Sequence, residues 1–331
     1  MLRAHCHPDR SHLDISESGH RLLYSLDYKR FLMKREGEEE RQKNLDYYQK
    51  NKQIEKFIRE VHEMVAQEME VSAEARLRCE QYQKMLEKIK ICDEVMNSPK
   101  EGWKLQKVNE QSELAVKVQG TNLEIRYEGI LNANIENLCV MIYQVDLFSE
   151  WVPFCSYSED LKNLSPLEKL CFFKIKVPLL TEFFCFLHGI GIDRIEENGS
   201  ILIFGEGVNE EEGIFKDNGV DKEEKNTKKL KVLDMKYFVC EITCKQGNEY
   251  QFRAYATLDT HMPLIPEWVL KLVVRKIGAF IIESVVKKSQ VFEGTVWEKH
   301  KKEHEEDPFY EWLHKRMVFW RENSKGLQGK M

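Results

Sequence analysis

Two histidines sit among apolar residues where an imidazole could move a proton, His188 in "FLHGIG" and His261 in "DTHMP". Such a ring works as a general acid or base when a substrate proton lies within hydrogen-bond reach, and Arg194 or Arg253 could hold an anion beside it. No paired carboxylates, nucleophile elbow or phosphate loop accompanies these residues. A single histidine in an apolar strand more often has a partner in the core or at its rim. His300 and His304 in "HKKEH" stand one helical turn apart. The run lacks the acid spacing of HExxH, so a solvated helix face is expected rather than a metal site. The nine cysteines contain no CxxC pair, and Cys240 and Cys244 in "CEITC" share a face of a strand-like run. That spacing suits a core. Reduced thiols, no metal and no cofactor are expected.

The elements that carry these residues differ along the chain. Residues 1–28 mix Arg and Ser with Asp9, Asp14 and Glu17 and read as a disordered leader, with mitochondrial import weakly indicated. Residues 29–97 are rich in Glu, Lys, Gln and Arg. Ile54, Phe57, Ile58, Val61, Met64 and Val65, then Tyr82, Met85, Leu86 and Ile89, recur at helical spacing. Two helices broken near "EVSAEA" are expected. At "NSPKEGW" a second region begins, taken as 98–290. Leu114, Val116 and Val118, then Leu123, Ile125 and Tyr127, alternate around a turn at "GTN". A helix capped by Asn134 comes next, followed by strands "KLCFFKIKV", "EFFCFLHGIGIDRIEE", "SILIFGEG", "DMKYFVCEITC" and "YQFRAYATL", with a tight turn at "ENGS". The charged stretch between Val208 and Lys231 reads as a mobile loop. An α+β fold follows, an antiparallel sheet of about seven strands covered by a long helix.

That helix, "IPEWVLKLVVRKIGAFIIESVVKKS", is apolar around most of its circumference but carries Lys271, Arg275 and Lys276, which disqualify it from a bilayer. Trp268, Val269, Leu272, Val273, Ile277 and Phe280 share its apolar face. Across from it, Phe252, Ala254 and Ala256 alternate along one strand, and two alanines facing a bulky helix leave space. An apolar void forfeits packing unless something apolar fills it. A lipid chain or sterol is the simplest occupant. Trp151 and Phe173 complete the candidate lining, and His188, Arg194 and Arg253 are the candidates for a polar head group.

The segment "LDTHMPLIPEWVLKLVVRKIG" resembles the closing stretch of the START lipid-transfer domain family, through Asp259, Ile265, Pro266 and Trp268. "EGW" with Trp103, "RYEGILNA" and "LFSEWVP" with Trp151 resemble earlier landmarks of that family, over residues 85 to 290. The resemblance implies a helix-grip fold, a curved sheet wrapped around the C-terminal helix and enclosing one lipid or sterol without catalysis. Two features depart from the pattern. "MPL" stands where the family has a glycine before "IP", and the Arg-Asp pair of a middle strand is absent from "PLLTEFFCFLHG".

Two other classes compete with a lipid carrier. One is a non-catalytic scaffold whose helical extensions bind a protein partner, and the other is a cyclase-like or dehydratase-like enzyme on the same fold. The tail, 291–331, joins Phe309, Trp312, Leu313, Met317, Phe319 and Trp320 to Lys315, Arg316 and Arg321, which suits a membrane interface or, with slight preference, packing on the N-terminal helices. A net charge of −6 without a basic cluster argues against nucleic acid. A cytoplasmic or peripheral membrane protein is expected.

Overall fold

The computed structural model describes residues 37–67, 69–178, 182–208, 231–246, 249–261, 266, 268–272, 276 and 286–327. The expected leader, most of the stretch expected as a mobile loop and the middle of the long helix lie outside the described residues.

Three helices, where two were expected, precede the sheet: α1 over 37–50, α2 at Ile54–Ala66 and α3 at Ala73–Asn97. The additional break falls at Lys52, whose φ of +53° turns the chain out of helical geometry without a glycine or proline to announce it. The second break is the expected one, and the Ser72 hydroxyl accepts from the Ala75 N–H at 3.1 Å to cap α3. On α2, Phe57, Val61 and Met64 are buried at spacings of four and three. Arg41 of α1 reaches Glu60 and Glu63 at 2.8 and 3.1 Å. The chain divides into two compact units. One takes the described part of Met1–Tyr48 with Glu55–Glu80; the other takes Gln49–Ile54 with Gln81–Met331.

The second unit is built on a sheet of β1 Lys104–Asn109, β2 Ser112–Gln119, β3 Asn122–Asn132, β4 Cys155–Ser165, β5 Glu168–Lys176, β6 Glu182–Arg194, β7 Ser200–Gly207, β8 Lys231–Val232, β9 Asp234–Gln246 and β10 Glu249–Asp259. The spatial order is β1-β2-β3-β10-β9-β7-β6-β5-β4, with antiparallel neighbours, and β8 pairs in parallel with β6. Three strands are missing from the sequence reading, the edges β1 and β4 and the two-residue β8. β4 is polar and its register shifts three times against β5, and β1 leaves Leu105 exposed, so neither keeps clean alternation. The "GTN" turn closes β2 on β3, with Gly120 at φ +62°. "ENGS" is not a hairpin turn: Ile195–Asn198 form one helical turn, α5, ended by Gly199 in the left-handed region.

One face of the sheet, the inner one, carries α4 at Ile135–Tyr143, capped by Asn134 as expected, and a short 3-10 helix at Val145–Glu150. After β10, residues 268–272, 276 and 286–290 are helical in backbone. Leu270 and Val286, near the two ends of that span, pack in the inner-face cluster with Leu138, Met141, Ile242 and Phe252. Two further helices, α6 at Val296–Glu303 and α7 at Pro308–Leu327, complete the chain. Thr295 and Asp307 cap them through their side chains. The outer face carries the second part of α3. Arg126 donates to the Ser98 carbonyl at 3.2 Å, Arg253 to Asn97 at 2.7 Å, and Lys88 pairs with Glu206.

Candidate functional site

Alternation along β5, β6, β7 and β9 turns Cys171, Phe173, Leu187, Gly189, Gly191, Ile201, Ile203, Gly205 and Phe238 toward the inner face, where they floor an apolar cavity of about 150 Å³. Cys139, Ile142 and Tyr143 of α4 cover it, with Val145 and Phe148 of the 3-10 helix, Leu167, and Phe309 and Trp312 of α7. The hollow has a local cause. A Cβ at Gly189 would meet no atom within 4 Å, and one at Gly191 would meet Leu167 at 3.6 Å. Glycines at alternate positions on one strand remove a row of side chains from the floor.

α7 is held over this cavity by specific contacts. Its Phe309 ring stacks on Tyr143 with centroids 3.6 Å apart. Gln144 donates to the Tyr310 hydroxyl at 3.0 Å and to the Trp297 carbonyl at 3.1 Å. Arg316 pairs with Asp193 at 2.7 Å and with Glu196 at 3.0 Å. Asp193 is fully buried, and burial pushes its carboxyl pKa up against the opposing pull of Arg316.

Lys169 is the one charged side chain among the described lining residues. Its ammonium meets Asp160 and lies 3.5 Å from the Tyr143 ring centroid. The Tyr143 hydroxyl donates to Asp307 at 2.6 Å. Burial, reinforced by Asp307, pushes that phenol up. Burial also raises the Cys139 thiol to about 12, which leaves it protonated and unreactive at neutral pH. The described cysteines are all free, and all but Cys244 are buried, in keeping with the expected core role.

Of the lining residues expected from sequence, Phe173 lies on the cavity. Trp151 is one contact removed, edge-on to Phe148 at 5.5 Å, which in turn stacks on Phe173. Phe252 and Ala254 pack in the inner cluster, and Ala256 is half-buried on the same strand face, but none of the three lines the cavity, which sits nearer β5–β7. Val269 is buried and Leu272 half-buried, but Trp268 is 43% exposed and does not face inward. Val273, Ile277 and Phe280 lie outside the described residues.

The three polar candidates are on the wrong face. His188 falls between the inward-facing Leu187 and Gly189 and so points outward, its Nε2 2.9 Å from Glu168. Glu168 also receives the Lys52 ammonium at 2.5 Å, and Lys52 is 3% exposed. Burial alone would raise the Glu168 pKa, but the His188 hydrogen bond and the Lys52 charge outweigh it and hold the carboxyl down at about 2. Arg253 is engaged with Asn97 and Glu241, and Arg194 lies in the field of Asp93 on α3. His261, at φ +50°, is exposed beside Asp259. His300 and His304 stack on each other, and among the described residues no group of three or more His, Cys, Asp or Glu is placed to hold a metal.

The tail also departs from expectation. Phe309, Tyr310, Leu313, Met317 and Trp320 are buried in the inner-face cluster with α4 residues, where packing on the N-terminal helices was favoured. Sequence reasoning missed the glycine floor, Tyr143, Lys169 and the α7 cover. "HGIG" with "FGEG" was the available signal for the first of these.

No protein-family model and no curated protein matches the chain. Solved structures do. Human STARD10 superimposes with a TM-score of 0.51 over 70% of this chain and 87% of its own, at 13% identity. Human StAR-related lipid transfer protein 5 gives 0.49 over 63% and 97%, at 12% identity. The human StarD13 (DLC2) lipid transfer and protein localization domain gives 0.43 over 63% and 98%, at 10% identity. The chain has the START-like helix-grip fold.

Proposed function

We propose, from the START-like fold and its hollow inner face, that this chain binds one hydrophobic ligand, a lipid or sterol, which it carries between membranes or senses. The observation that carries the reading is the apolar cavity floored by Gly189 and Gly191. A cavity of about 150 Å³ matches the size of an engineered core cavity that takes up benzene. It admits roughly five methylenes, worth about 4 kcal/mol of burial, or a Kd of about 1 mM, before ordering costs. A whole acyl chain or sterol therefore needs the cover to move, and α7 is a cover made of side chains rather than sheet. A binding role is favoured over catalysis because His188, Glu168 and Lys52 lie on the opposite face from the cavity. No helix among the described residues is long and apolar enough to cross a membrane.

A second reading, a scaffold with a filled interior, is favoured by Phe309 and Trp312, which occupy space on the inner face. Extraction of the purified protein followed by mass spectrometry separates the two. One equivalent of lipid or sterol per chain is expected. A protein that yields no lipid and takes up none from vesicles loaded with labelled lipids and sterols would overturn the carrier reading in favour of the scaffold.

A further inference from the structure

Tyr143 has two neighbourhoods. On one side its ring meets Lys169 and Phe309, both on the apolar cavity. On the other it borders a surface cleft of about 750 Å³ between the β4–β5 turn and the α6–α7 turn, and its hydroxyl bonds Asp307 there. Tyr143 is therefore the partition between cavity and cleft.

The cleft side of that junction is mainly acidic, while Lys169 supplies a cation on the cavity side. The cleft wall includes Glu303, Glu305, Glu306 and Asp307 against Lys302, whose ammonium is already engaged by Glu298 at 2.8 Å. Glu305 and Glu306 have no ion-pair partner among the described residues. Near Tyr143, Asp160 accepts Lys169 at Oδ2 and keeps Oδ1 buried without a hydrogen-bond partner, in the field of Asp146 and Asp307. A buried carboxylate oxygen left unpaired is costly, and a nearby donor or cation relieves it.

We propose that cavity and cleft form one site for an amphiphile with a cationic head, its chain passing Tyr143 into the cavity and its ammonium lying against the carboxylates of the cleft. The assignment rests on the ligand-binding reading above and adds the route of entry and the charge of the head group. An anionic amphiphile of the same length meets repulsion at the mouth, and a neutral one gains the cavity alone.

The test uses the full chain and three probes of equal chain length, octylammonium, octanoate and octanol, titrated by calorimetry at low and at physiological salt. Octylammonium is expected to bind tightest and octanoate weakest. The double substitution Glu305→Gln with Glu306→Gln, on exposed residues whose change leaves the fold intact, is expected to weaken octylammonium about fivefold while leaving octanol unchanged. Tyr143→Phe, which removes the Asp307 contact but keeps the ring, is expected to alter the binding of all three. Equal affinity for the three probes, or the same loss for octanol as for octylammonium in the double variant, overturns the cationic assignment while leaving the cavity reading standing. Absence of binding by all three overturns both.

Discussion

Replacing Lys52 with methionine keeps the stem and the left-handed backbone of that residue but removes the ammonium that Glu168 faces. Glu168 is 6% exposed and would retain the His188 contact alone. Removing one partner of a buried ion pair costs about 3 to 5 kcal/mol, and the surviving histidine places the expectation near 3. The acid side gives an independent figure. The folded-state pKa of Glu168 is depressed from 4.5 to about 2, so its contribution is fully present above pH 4.5 and is lost as pH falls toward 2. A depression of that size corresponds to about 3 kcal/mol for the His188 and Lys52 contacts together, an upper bound on the share of Lys52. The assay is urea unfolding followed by tryptophan fluorescence, extrapolated to water. All six tryptophans, from Trp103 to Trp320, belong to the sheet-bearing unit, so the signal reports that unit alone. The Lys52→Met deficit is expected to be about 3 kcal/mol at pH 7 and to shrink toward pH 2 as the carboxyl protonates in both proteins. Adding Glu168→Met should recover most of the loss, since a buried apolar pair carries no desolvation penalty. A deficit below about 1 kcal/mol at pH 7, or one that stays constant down to pH 2, would refute the claim that a desolvated carboxylate is being compensated there.

Three other substitutions test the inner-face strands and their cover. Gly189→Ala is expected to stabilise the protein by about 0.5 to 1 kcal/mol, because the new methyl meets open space and the unfolded chain loses freedom, whereas Gly207→Ala drives a Cβ into the Met235 carbonyl and is expected to cost about 2 kcal/mol; thermal unfolding of the pair should shift in opposite directions. Arg316→Met leaves the fully buried Asp193 without its cation and is expected to cost about 3 kcal/mol, with earlier proteolysis within Pro308–Leu327 as the local readout.

How much of this was legible beforehand depended on whether a signal was local. β7 and β9 declared themselves through β-branched and aromatic alternation, and Asn134 through capping chemistry that needs a few neighbouring residues. β4 was not legible, because an edge strand exposes one side and tolerates "SEDLKN". The break at Lys52 is set by a partner 116 residues away, a tertiary cause with no local trace. His188 shows how one position decides a site. Strand alternation fixes which neighbours share its face, but not which face looks inward, and the two glycines that follow the histidine, Gly189 and Gly191, were the clue to the latter. The α7 cover was hidden because its aromatic and basic residues suit a membrane surface, a helix pair and an inner-face lid equally well.

The interlocking of α7 with the inner face and of Lys52 with the outer one bears on any attempt to trim this molecule. Residues 98–290, the second region delimited from the sequence, omit Lys52, Phe309, Trp312 and Arg316. The fragment would leave Glu168 without its ammonium and Asp193 without its guanidinium, and open its hollow to water through the missing wall. What the sequence delimits as a domain is thus smaller than what packs together.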